Sequence, residues 1–146
     1  MQYRYRRVIP MFESPTERRI GDRALEAFSG VLGLRDRRLV FIAENPTGDI
    51  RSDRAIVGLS NSNGRDIFAG KGLPHRDLVL VIAHELRHEW QRTSDKKHWT
   101  PGMRERDAQL FALRFDPPRD ADELLAWLVL LDRRSAKPEN VYPRAQ

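Results

Sequence analysis

Apolar positions along this chain form four helical patterns and several short runs, separated by polar stretches rich in Pro, Gly and Asn. Residues 3–9 alternate in part and fit a short strand. Ser14-Pro15-Thr16-Glu17 then reads as a helix start, with Ser14 as N-cap, Pro15 in the first helical position and Glu17 closing a capping box. Ile20, Ala24, Ala27, Phe28, Val31 and Leu32 follow at helical spacing, and Gly33 suits the end of that helix. Residues 38–43, RLVFIA, are a short strand-like run, followed by turn chemistry at Asn45-Pro46-Thr47-Gly48. Two more runs, Ala55 to Leu59 and Ile67 to Ala69, flank Asn61-Ser62-Asn63-Gly64, a hairpin signal.

From Asp77 the pattern changes. DLVLVIAHELRHEWQR holds no Gly or Pro and fits a helix, although Val79, Val81 and Ile82 also suit a strand. Residues 93–102 are polar and end in Pro101-Gly102, which predicts a loop. Residues 103–115 predict a helix with Ala108, Phe111, Ala112 and Phe115 on one stripe, broken by Pro117-Pro118. Asp120 to Leu131 predicts another, with Leu124, Leu125, Trp127, Leu128 and Leu131 apolar. The order of helix, short and mostly antiparallel sheet, then helices is α+β.

A length of 146 residues fits one domain over 1–134 with a polar, loose tail over 135–146. Apolar residues make up 40 % and charged residues 32 %, a globular balance. There is no cysteine, which excludes disulfide scaffolds, thiolate zinc clusters and cysteine nucleophiles. No apolar run is long enough to span a bilayer, and MQYRYRR lacks the apolar core of a signal peptide. These features predict a cytoplasmic protein without a membrane partner. The net charge of +5, from 26 basic and 21 acidic residues, rests on arginine clusters. They are Arg4, Arg6 and Arg7; Arg35, Arg37 and Arg38; and Arg133 with Arg134. Such a surface suits an acidic or nucleic-acid-bound partner, or simply a solvated face, and no recognised nucleic-acid motif accompanies it.

The chemistry concentrates at His84-Glu85-Leu86-Arg87-His88, an H-E-x-x-H pentamer. Histidines at i and i+4 lie one turn apart on one helix face, so both imidazoles can reach one metal. Catalytic zinc takes three protein ligands and leaves a position for water. Glu105 and Asp107, on the next predicted helix, are both candidates for the third. Gln109 shares the face of Glu105, and Ala108 and Ala112 are small enough for close helix packing. Asp107 instead shares its face with Leu110, Phe111 and Arg114. The metzincin pattern requires Gly at 91 and His at 94, where this chain has Gln91 and Ser94. His98 and His75 read as ordinary loop or flanking histidines, and Trp90 as core.

HELRH followed by a helix with E-x-x-A and then F-A resembles the gluzincin metallopeptidases over about residues 38–115. It is most similar to the minimal-core kind, the small phage- and mobile-element-encoded peptidases that cleave repressors, and to larger proteases with an E-x-x-A-D helix. The resemblance implies a zincin-like fold and a Zn2+ ion on His84, His88 and Glu105. It implies Glu85 as general base for hydrolysis of a peptide bond in a protein or peptide substrate. It places Gln109 where the pattern has an acidic or amide residue that orients a ligand histidine. It also implies strand addition of substrate to an edge strand, for which Asp66 to Gly70 is the candidate, with Gly70 and Gly72 allowing close backbone approach. The competing expectation is a catalytically weak or inactive protein of the same fold, serving as a basic nucleic-acid- or protein-binding module.

Overall fold

A computed structural model describes residues 14–42, 65–94, 96 and 98–135. Within them lie six elements: α1 (Pro15–Leu32), β1 (Arg38–Ile42), β2 (Asp66–Gly70), α2 (His75–Thr93), α3 (Pro101–Leu113) and α4 (Ala121–Ser135). The predicted strands over 3–9 and 55–59, the Asn-Gly hairpin and the tail beyond Ser135 lie outside the described residues.

Both ends of α1 form as its sequence dictates. The Ser14 hydroxyl accepts the Glu17 N–H at 3.0 Å, and Glu17 Oε1 accepts the Ser14 N–H at 3.2 Å, a closed capping box. Gly33 ends the helix at φ 68°, a left-handed conformation that L side chains disfavour. The next residue, Leu34, returns its N–H to the Ser29 carbonyl at 2.8 Å. Ile20, Ala24, Ala27, Phe28 and Leu32 are all fully buried.

β1 and β2 pair in parallel, Arg38 opposite Asp66 through Ile42 opposite Gly70. This corrects the expected antiparallel sheet. Parallel neighbours cannot be joined by a tight hairpin, and the local turn signals carry no information about which strands become partners. Arg38 pairs with Asp66 across the two strands at 2.9 Å.

α1 packs against α4, α2 and β1, and α2 packs against α3 and β2. Close approach of α1 to β1 requires Gly21, because a Cβ there would lie 2.5 Å from Leu39 Cδ2. Phe28 of α1, Phe111 of α3, Phe115 just beyond it and Trp127 of α4 meet through edge-to-face contacts, the tightest being Phe28–Phe115 at 4.9 Å between centroids. Leu124 and Leu128 carry the buried face of α4, and Asp120 caps it by accepting the Glu123 N–H at 3.0 Å. No helix among the described residues is long and apolar enough to cross a membrane.

α3 starts two residues earlier than its pattern predicts. Thr100 accepts the Met103 N–H at 3.1 Å as N-cap and Pro101 occupies the first position, so the Pro-Gly pair opens the helix and is not a loop. His75, expected to precede the helix, is the first residue of α2.

Glu17 does more than cap. Its Oε2 accepts the N–H of Gly72, at φ 79°, at 2.7 Å and so ties the start of α1 to the turn that leads into α2. Gly72 thus serves this turn. Glu17→Ala should lower stability by about 2 kcal/mol, the sum of a lost cap and a lost charge-assisted bond. Urea denaturation followed by circular dichroism measures it, and a change within a few tenths of a kcal/mol would contradict the bridging role.

Candidate metal centre

α2 carries His84, Arg87, His88 and Gln91 at i, i+3, i+4 and i+7, a single face. In most helices that spacing is apolar. Here the apolar residues Leu78, Val79, Ile82, Ala83 and Leu86 cover the other faces and are fully buried, while the polar stripe meets α3.

Three donor atoms converge on that seam. His84 Nε2 lies 3.2 Å from His88 Nε2. Glu105 Oε1 lies 3.1 Å from His88 Nε2 and 3.3 Å from His84 Nε2. The side chains open progressively to solvent, with 12 % of His84, 26 % of His88 and 31 % of Glu105 exposed. Donors on a tetrahedral ion with bonds of 2.0–2.1 Å stand about 3.3 Å apart. The spacing thus fits a metal ion, and the three residues together can hold one. The donor chemistry agrees. Two neutral imidazole nitrogens and a carboxylate oxygen turned on one another repel unless a cation, metal or proton, lies among them.

Asp107 does not join the cluster. It takes both prongs of the Arg87 guanidinium, Nε to Oδ2 at 2.7 Å and Nη2 to Oδ1 at 3.2 Å. Burial pushes its carboxyl up, but hydrogen bonds from Arg87 and Gln91 and the charges of Arg87 and His88 outweigh that and hold it below its ordinary 3.8. Arg87 is buried, stacked 3.8 Å over the Trp90 ring and 5.0 Å from that of Phe111. Glu85 is buried one residue beyond His84 and stands outside the triad of converging donors.

Gln109, expected to orient a ligand histidine, is exposed. His88 Nδ1 instead lies 3.0 Å from Gln91 Oε1, and Gln91 Nε2 donates to the Arg104 carbonyl and to Asp107 Oδ2, both at 2.8 Å. The sequence signal was the i+3 spacing from His88, hidden because Gln91 counted only as a mismatch to the metzincin pattern. His98 is exposed and apart from the cluster.

No family model, curated protein or solved structure matches the chain. What the site can do therefore follows from its own geometry.

Two of the middle arginines serve the fold. Arg38 pairs with Asp66, and Arg37 lies 3.7 Å from the buried Glu89, which also accepts from Arg92 at 2.9 Å. Arg35, Arg37 and Arg65, with Gly33 and Asp36, line a polar cavity of about 570 Å³ that shares no residue with the donor triad.

Asp107→Ala should cost about 2–3 kcal/mol in the metal-free protein, because it removes the carboxylate that bonds the buried Arg87 guanidinium twice. The depressed carboxyl fixes the sign with pH. Its contribution is complete above the unfolded value of 3.8 and is lost as pH falls through the lower folded value. Below about pH 4 the stability gap between wild type and variant should narrow. Denaturation series at several acidic pH values test this, and a gap that widens as pH falls below about 4 contradicts it.

Proposed function

We propose that this chain is a metal-dependent hydrolase of peptide bonds, an endopeptidase that uses zinc. The observation that carries the reading is the convergence of His84, His88 and Glu105, on two packed helices, to mutual distances of 3.1–3.3 Å. Two imidazoles and one carboxylate are a preferred set for zinc, and three protein ligands leave a fourth position for water or substrate. A zinc ion held there supplies Lewis acidity, lowering the pKa of water toward ~7 and polarising a carbonyl.

The remaining steps belong to the chain. Glu85 sits on the helix of both histidines without being one of the converging donors, as a base must. Its carboxylate accepts a proton from the attacking water as the carbon–oxygen bond forms. It delivers that proton to the amine nitrogen as the carbon–nitrogen bond breaks. Asp107 is withheld from the metal by Arg87, so Glu105 alone supplies the carboxylate ligand. Among the described residues β2 packs on α2 with one edge taken by β1, and an extended substrate would pair with its other edge.

Metal content by mass spectrometry under native conditions tests the ligand set. The wild type should carry one zinc per chain; His84→Ala, His88→Ala and Glu105→Ala should lose it, and Asp107→Ala, which removes no ligand, should retain it with weakened affinity. Loss in Asp107→Ala with retention in Glu105→Ala would reverse the assignment. A wild type that takes up no metal after incubation with zinc overturns the proposal.

Glu85→Gln should retain the metal and lose cleavage of unfolded, fluorescently labelled casein by about 10²–10⁴-fold. Undiminished cleavage by that variant would remove Glu85 from the mechanism.

A further inference from the structure

We propose that Gln91 is a positioning residue that holds the proton of neutral His88 on Nδ1 and so directs its Nε2 lone pair into the donor triad. The proposal rests on the metal reading above and names the device that prepares one ligand.

Gln91 Nε2 lies 2.8 Å from the Arg104 carbonyl oxygen and 2.8 Å from Asp107 Oδ2. A backbone carbonyl only accepts, and the Asp107 carboxylate, gripped at both oxygens by Arg87, only accepts as well. The amide must therefore turn its NH2 toward them. The opposite orientation would set Oε1 against two oxygens and leave the NH2 without either acceptor. With the NH2 fixed, Oε1 faces His88 Nδ1 at 3.0 Å. An amide oxygen cannot donate, so Nδ1 carries the hydrogen of that bond. A neutral imidazole has one such hydrogen, so Nε2 is left with its lone pair. Nε2 is the atom that stands 3.2 Å from His84 Nε2 and 3.1 Å from Glu105 Oε1.

The effect runs against intrinsic preference. A histidine side chain free in water favours the proton on Nε2, which in this site would point a hydrogen where a metal must bind. Gln91 reverses that choice, and Asp107 and Arg87 prevent Gln91 from rotating. Arg87 and His88 are sequence neighbours, so the series Arg87, Asp107, Gln91, His88 closes on itself through the α2 backbone. Partners of this kind typically change metal affinity by about 10–100-fold when removed.

The test reads the proton directly. The full chain, labelled with 15N at histidine and freed of metal with chelator, is observed by two-bond 15N–1H correlation above the imidazole titration. In the wild type His88 should show a protonated Nδ1 and a bare Nε2. In Gln91→Met, His88 should shift toward the Nε2-protonated form while the His84 pattern holds, and zinc affinity should fall by about 10–100-fold. An Nε2-protonated His88 in the wild type overturns the proposal, and that spectrum decides even if Gln91→Met does not fold. A folded Gln91→Met with unchanged tautomer and affinity overturns it as well. A wild type with the expected tautomer that binds no zinc overturns the hydrolase reading and leaves the assignment of the proton intact.

Discussion

Arg87 is a buried cation, and the meeting of α2 with α3 is organised around its neutralisation. A guanidinium packed between Trp90 and Phe111 has left water and must be paired. Asp107 pairs with it through two bonds, and this fixes the rotation of α3 about its own axis. At 100° per residue, Glu105 and Asp107 flank the fully buried Ala108 on opposite sides of the contact face. Locking Asp107 on one side therefore brings Glu105 over His84 and His88 on the other. The small side chain of Ala108 lets the two backbones come close enough for both contacts to form.

Much of this was legible in the sequence because it is local. The capping box at Ser14 and Glu17 and the helix end at Gly33 each depend on a few neighbouring residues, and each forms as read. Helical periodicity together with the gluzincin resemblance favoured Glu105 over Asp107, and the structure brings Glu105 to the histidines and Asp107 to Arg87. The features that escaped are of two kinds. Parallel pairing of β1 with β2 is a decision made between distant segments, about which the residues within each strand say nothing. The Gln91 contact escaped because apolar periodicity is the usual guide to a buried helix face, and this face is polar. His84, Arg87, His88 and Gln91 keep the spacing of a core stripe without its chemistry.

The arginine-rich composition also takes a different meaning from the structure. A net charge of +5 suggests outward-facing cations. Several arginines instead serve as fasteners. Arg87 holds α3, Arg37 meets the buried Glu89, and Arg104 grips the Trp99 carbonyl through Nε and Nη2 at 3.1 and 2.8 Å. The planar guanidinium suits these roles, since it bonds in two directions and stacks on a ring with its remaining face.

Every group in the seam, from His84 to Asp107, falls within one helix–loop–helix segment. Only sixteen residues separate His88 from Glu105, so the loop that brings them together is short and its closure entropy small. The contacts of α1 with α4 span a far longer stretch of chain, and the ordering cost of closing them is correspondingly larger. The donor triad is in this sense a low-contact-order structure inside a higher-contact-order fold. A metal ion bound by it links two neighbouring helices much as a covalent staple would, and its binding energy acts on the stability of that hairpin before it acts on the rest of the domain.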